Sequence, residues 1–105
     1  MQQQVNAYNA RDLEAFLATY SSEIELYNQP DELILSGMEK MRERYQVRFD
    51  SSPALHAAIT NRIALGNYVI DRERVSGLPN GAVLNAVAIY EVQDGLIRRV
   101  WFVRE

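Results

Sequence analysis

The chain has 105 residues, 48% of them apolar and 24% charged, the proportions of an ordinary soluble domain with one core. A net charge of −3 supplies no basic stripe for a general nucleic-acid surface. The absence of cysteine excludes disulfides, thiolate nucleophiles and cysteine-based metal sites.

No apolar run approaches the length of a signal core or a membrane span. A single domain over residues 1–105, cytoplasmic and without a membrane or nucleic-acid partner, is therefore the expectation. Residues 1–9 permit a short first helix. Asp12 offers an N-cap for a second over residues 13–20, whose apolar face is Leu13, Phe16, Leu17 and Tyr20. Residues 24–28 alternate and read as a short strand with Ile24, Leu26 and Asn28 on one face. Residues 28–35 read as a loop in which Leu33-Ile34-Leu35 packs down. Ser36 and Glu39 fit a capping box for a third helix over residues 37–49. Its buried side is Met38, Met41, Tyr45 and Phe49, and its solvated side Arg42, Glu43, Arg44 and Arg48.

The second half reads as four strands joined by three turns. Gly66-Asn67, Gly77-Leu78-Pro79-Asn80-Gly81 and Asp94-Gly95 each separate β-rich runs, and Gly and Asn accept the positive φ that tight hairpins need. A two-residue turn at Gly66-Asn67 pairs Ala64 with Val69, Arg62 with Asp71 and Thr60 with Glu73. The next turn pairs Val75 with Leu84, Glu73 with Ala86, Asp71 with Ala88 and Val69 with Tyr90. One face then carries His56, Thr60, Arg62, Val69, Asp71, Glu73, Ala86, Ala88 and Tyr90. The other carries Ile59, Ile63, Leu65, Tyr68, Ile70, Arg72 and Arg74. In the last strand, a two-residue Asp94-Gly95 turn turns Arg99, Trp101 and Val103 inward, whereas a bulge brings in Val100 and Phe102. Both arrangements remain open, with Trp101 taken as the inward residue.

Helices gathered on one face of an antiparallel sheet make an α+β domain. The order of elements resembles the nuclear transport factor 2-like superfamily, in its SnoaL-like and ketosteroid isomerase-like branch. The residues that carry the resemblance are Asn9-Ala10-Arg11-Asp12-Leu13-Glu14, Ser36-Gly37, and the run from Ile89-Tyr90-Glu91-Val92 through Asp94-Gly95 to Arg98-Arg99-Val100. The resemblance implies a cone-shaped, cystatin-like fold in which a curved sheet wraps helices around a ligand pocket. It also places Val69, Asp71, Glu73 and Ala88 on the concave side.

Ketosteroid isomerase works with an Asp base and an oxyanion hole of a Tyr and a protonated Asp. The resemblance puts Asn28 at the base position, Ala88 at the acid position and Gln4 near the tyrosine, with Tyr8 one turn later. Steroid isomerisation by that mechanism is therefore not expected. An epoxide-hydrolysing branch uses an Asp-Arg-Asp set helped by Tyr and Asn, but Tyr27, Asn28, Arg62 and Asp71 differ from it in spacing.

The residues themselves offer Asp71 and Glu73, two carboxylates at i and i+2 of one strand. Sharing a face inside an apolar cone, they raise each other's proton affinity. Arg62 opposite Asp71 keeps that carboxylate charged and leaves Glu73 as the candidate proton carrier. Glu73, Asp71 and Arg62 are the candidate catalytic set. Tyr8, Asn28, His56, Tyr90 and Trp101 are candidate ligand contacts, His56 because it is the only histidine and titrates near neutrality. An aromatic, apolar lining suits a flat hydrophobic small molecule. One histidine with two acids is thin for a metal site, so neither a metal nor a cofactor is expected. The opposite face, rich in Ile, Leu and Tyr, is an association surface. SnoaL-like proteins commonly dimerise through it, so a symmetric homodimer is expected.

Overall fold

The computed structural model describes residues 1–104. In chain order the elements are α1 (Gln2–Ala10), α2 (Leu13–Leu17), β1 (Tyr20–Asn28), β2 (Glu32–Ser36), α3 (Met38–Ser51), β3 (His56–Leu65), β4 (Tyr68–Ser76), β5 (Leu84–Gln93) and β6 (Leu96–Arg104). The strands form one sheet in the order β2-β1-β6-β5-β4-β3. Neighbours are antiparallel except β1 and β6, which run parallel. The three helices lie on the concave side, an α+β cone as the sequence predicts. Among the described residues no helix is long and apolar enough to cross a membrane.

The core is aromatic where the helices meet the sheet. Phe16 of α2 lies 4.7 Å from the Tyr45 ring and 5.0 Å from that of Tyr20, while Tyr8 packs edge-on against Phe49. Phe16 is almost fully buried, and truncating such a ring to Ala costs about 3–5 kcal/mol. Asp12 caps α2, its Oδ1 accepting from the Ala15 N–H at 3.2 Å. The corner between α1 and α2 is tied to the start of β3. Asn9 donates from Nδ2 to the Ala57 carbonyl and accepts the Ala57 N–H at 2.7 Å. Arg11, in the left-handed region at φ 54, donates to the Leu55 carbonyl. These contacts give Asn9-Ala10-Arg11-Asp12 a structural meaning: one helix ends, the next is capped, and both are fastened to the sheet.

Several local expectations change. The second helix stops at Leu17, and Tyr20 opens a nine-residue β1. The reason is tertiary: the Ile97 N–H of β6 takes the Thr19 carbonyl at 3.0 Å, so strand pairing outcompetes a further helical turn. Residues 32–36 are not a loop but an edge strand, paired with β1 from Glu25–Ser36 to Asn28–Glu32. That pairing occupies Ser36, so the capping box does not form. Gly37 is the N-cap of α3, with φ 91 and no side-chain cap.

The register of the sheet decides what faces inward. All three expected turns are present, and Arg62–Asp71, Asp71–Ala88 and Val75–Leu84 pair as predicted. Thr60, however, is an extra residue in β3, because Ile59 pairs with Glu73 and Asn61 with Arg72. A bulge of this kind reverses the alternation of faces along one strand. Ala57 and Ile59 therefore point inward before it, and Arg62 and Ala64 after it. A second bulge falls in β6, where Glu91 pairs with Arg99 but Val92 with Ile97. Arg98 is the surplus residue, and the inward side chains become Ile97, Val100 and Phe102. Trp101 points outward and stacks on Tyr27 at 5.9 Å.

Candidate functional site

The helices and the sheet enclose a cavity of about 50 Å³, room for a few waters or the end of a small ligand and less than a flat polycyclic molecule requires. Its inner wall is phenolic. Tyr8 comes from α1, Tyr20 from β1, Tyr45 from α3 and Tyr90 from β5, with Gln4, Phe16 and Phe102 beside them. Glu73 of β4 also lines it. Arg44 and Arg48, half-buried on α3, and Arg104, more exposed at the end of β6, form a basic rim.

Among the described residues Glu73 is the only carboxylate on this wall. Burial, and next to it the negative charge of Asp71, raise its pKa from 4.5 to about 7, against the opposing pull of Arg104 and Arg48. Asp71 itself lies behind the wall, fully buried. Arg62 holds it with two hydrogen bonds, from Nε at 2.6 Å and Nη2 at 2.9 Å. That contact lifts the Arg62 guanidinium above its ordinary pKa. Asp71 thus acts on Glu73 through its field rather than by touching the contents of the cavity.

The tyrosines stay protonated. Burial pushes Tyr8 up to about 12, although Arg48 pulls the other way. Burial likewise raises Tyr45 and holds Tyr20 and Tyr90 well above 10. Arg48 donates to the Tyr8 hydroxyl at 3.3 Å and Gln4 to that of Tyr20 at 3.1 Å. With an acceptor lone pair used, each phenol keeps its own proton to give to a ligand oxygen. Gln4 Oε1 is buried and has no hydrogen-bond donor. The wall thus offers one carboxyl near neutrality, several O–H donors and one free acceptor.

Of the residues singled out from the sequence, Glu73, Tyr8 and Tyr90 line the cavity and Asp71 and Arg62 stand behind it. The other three lie elsewhere. Asn28 donates to Glu32 at 2.8 Å and borders a separate shallow groove with Gln29, Phe102 and Arg104. His56 is exposed on the outer side of β3, because the Thr60 bulge assigns the inward positions there to Ala57 and Ile59. Thr60 does not face Glu73, and Ile59 leaves the outer patch, for the same reason. Trp101 is outward because of the Arg98 bulge. Among the described residues no group of three or more His, Cys, Asp or Glu side chains is disposed to hold a metal ion.

The basic rim differs from the expectation that Arg44 and Arg48 lie on the solvated side of α3. Yet Met41, Arg44, Tyr45, Arg48 and Phe49 follow i, i+3, i+4, i+7, i+8, the full width of a core-facing helical stripe. Two arginines inside such a stripe are a signal that the side chains of one turn alone do not show. Tyr20 and Tyr45 are expected only as apolar-face residues of their helices, whereas Gln4 is expected near the isomerase tyrosine position and Phe102 is the inward residue of the bulged alternative.

A cone of helices and curved sheet around an internal pocket is the cystatin-like, nuclear transport factor 2-like fold. The SnoaL-like domain model matches residues 1–100, so the chain belongs to the SnoaL-like family. A cystatin-fold protein of unknown activity from Novosphingobium aromaticivorans is 27% identical with a TM-score of 0.88, over 98% of this chain and 93% of that one. A candidate ketosteroid isomerase from Kribbella flavida is 20% identical with a TM-score of 0.83, over 99% and 73% of the two chains. A candidate polyketide cyclase from Sinorhizobium meliloti is 16% identical with a TM-score of 0.80, over 95% and 89%. The last two likenesses are of fold alone. A comparison with curated proteins finds no match.

Proposed function

We propose that this SnoaL-like domain binds a compact small molecule and that Glu73 moves a proton on it, in an isomerisation, cyclisation or hydration that needs no cofactor. The observation that carries the reading is the position of Glu73. It is the one carboxyl on the cavity wall among the described residues, and its pKa of about 7 lets it take and return a proton near neutral pH, where a general acid–base works best. Tyr8 and Tyr20 supply O–H donors for an oxygen that gains negative charge as the proton leaves. Two proteins of this fold carry the names of a candidate ketosteroid isomerase and a candidate polyketide cyclase, which is the reaction type in view. The steroid isomerase set itself is absent, with Asn28 outside the cavity and Ala88 in place of the acid. Carbon-13 NMR of the glutamate carboxyls, assigned with Glu73→Gln, tests the reading: a Glu73 midpoint near 7 is expected, and one near 4.5 would sink it.

A non-catalytic binding and dimerisation module is favoured by a different observation. The ladders join Ile63, Ile70, Ile89, Trp101, Tyr27 and Leu33 into one apolar row across all six strands of the outer face. Ile63, Leu65 and Tyr68 are 62%, 79% and 44% exposed. A charged row of Glu91, Arg99 and Glu25, paired at 3.0 and 2.9 Å, runs beside it. An apolar stripe with a charged border is the make-up of a symmetric contact, and we assign the homodimer to this face. The two readings are compatible, since the cavity opens away from the outer surface of the sheet.

A further inference from the structure

We propose that the ligand is a short-chain carboxylic acid, its carboxylate held by Arg44, Arg48 and Arg104 at the rim and its other end seated against Gln4 and Tyr20. The inference rests on reading the cavity as a ligand site and adds the class of ligand. Its first support is the placement of charge. Guanidiniums from α3 and from the end of β6 line the same small cavity, and all three lower the proton affinity of the Tyr45 phenol between them. They form a positive rim on a chain whose net charge is −3.

The second support is that this charge is not spent on the protein. Arg42 pairs with Glu14, Arg62 with Asp71, and Arg98 and Arg99 with Glu25. Among the described residues Arg44 and Arg48 pair with no carboxylate, and Arg48 gives its one side-chain hydrogen bond to a neutral phenol. A half-buried guanidinium without an anion leaves donors that a carboxylate accepts in pairs. Glu73, the one acid on the cavity among the described residues, does not serve: it carries no hydrogen bond from either arginine, and its raised proton affinity favours the neutral form.

The third support comes from the opposite end. Gln4 Oε1 is buried on the cavity wall with no donor, a cost that a ligand hydroxyl removes. The space between rim and Gln4 is about 50 Å³, which fits a chain of a few carbons and not a ring system. The structure thus describes a slot that is cationic at its mouth, phenolic along its sides and open to one hydroxyl at its base.

The probes are 4-hydroxybutyrate, its uncharged isostere 4-hydroxybutyramide, and butyrate, titrated into nitrogen-15-labelled protein at millimolar concentrations. The acid is expected to shift the amides of Glu73, Tyr45 and Ala86 and to bind at least about tenfold tighter than the amide, as charged hydrogen bonds contribute. Arg44→Gln and Arg48→Gln should each remove most of that preference without changing amide binding, and butyrate should bind more weakly than 4-hydroxybutyrate. Equal affinity for acid and amide, shifts confined to the outer sheet face, or no shifts with the acid each overturn the proposal. Rim variants that unfold are replaced by Arg44→Lys and Arg48→Lys, which keep the charge but lose the paired donors and should lower the preference. The carboxyl titration of Glu73 is read without ligand. An ordinary Glu73 with intact acid preference would remove the proton-transfer reading alone, and the opposite pair of results would remove this one alone.

Discussion

Replacing Glu73 with Gln removes a charge from the cavity wall and leaves the shape almost unaltered, which makes its effect on stability calculable. In the folded chain the carboxyl holds its proton up to about pH 7, whereas the ordinary value is 4.5. Between those values the folded state binds more protons than the unfolded state, so stability falls as pH rises. The favourable contribution of the neutral acid is complete below 4.5 and gone above 7. At 1.36 kcal/mol per tenfold change in proton affinity, the wild-type chain carries a cost of about 3 kcal/mol above neutrality. Glu73→Gln carries none. The variant should match wild type at about pH 4.5 and exceed it by about 3 kcal/mol at about pH 8.5, or roughly 12–15 °C in Tm for a domain of this size. Urea unfolding across that range gives the number, and subtracting the two curves cancels every other titrating group. A gap that does not change with pH, or that closes as pH rises, would refute the reasoning, because Glu73 would then be as well solvated folded as unfolded.

The Arg62–Asp71 pair should respond unequally. Arg62→Gln strands a fully buried carboxylate and should cost about 3–5 kcal/mol, while Asp71→Asn leaves an arginine that is 30% exposed and should cost about 1–2 kcal/mol. Asp71→Asn should also lower the Glu73 midpoint; the reverse order in urea midpoints would contradict the burial described. Gly77 and Gly81 share nearly the same φ, +75 and +74, but a Cβ on Gly77 would lie 1.9 Å from the Ala54 carbonyl oxygen, while nothing lies within 4 Å of one on Gly81. Gly77→Ala should therefore be the less stable of the two alanine variants by about 2 kcal/mol or more, read by thermal denaturation. Sedimentation velocity should show a dimer for wild type and a monomer for Ile63→Glu with its Glu73 titration unchanged; a wild-type monomer at high micromolar concentration would remove the outer face from consideration.

The hairpins were legible because Gly66-Asn67 and Asp94-Gly95 encode backbone geometry locally, and the pairings next to them follow by counting. Asp12 was legible as a cap for the same reason. What counting cannot supply is the surplus residue. Thr60 and Arg98 carry no mark of being unpaired, yet each reverses the faces of everything beyond it. Counting without the first puts His56, Ile59 and Thr60 on the wrong side, and the second decides the open choice in β6 against Trp101 and for Val100 and Phe102. The Asp71–Glu73 reading was unaffected, because it used alternation within β4, which has no bulge. The edge strand at residues 32–36 reads as loop because Pro30 and Asp31 immediately before it signal a turn, and pairing to β1 overrides that local signal. The stripe from Met41 to Phe49 that carries the arginine rim is visible in the sequence, but charged side chains on a helix are usually solvated, so composition alone points Arg44 and Arg48 outward.

The bulge at Thr60 gives β3 two separate duties. Five positions separate Ala57 from Arg62, an odd interval that an unbroken strand would send to opposite faces, yet both point into the cone. The front part of the strand is thereby free to close the helical corner at Asn9, while the rear part braces Asp71 and offers Ile63 and Leu65 to the outside. Removing Thr60 would take out the one residue that β4 does not match. Ala57 and Arg62 would then lie four positions apart, an even interval that an unbroken strand keeps on one face, so the same side chains would still point into the cone while the local bend and extra twist of the bulge were lost. A surface threonine with one long hydrogen bond of 3.3 Å to a neighbouring carbonyl thus sets the angle between the two parts of the strand.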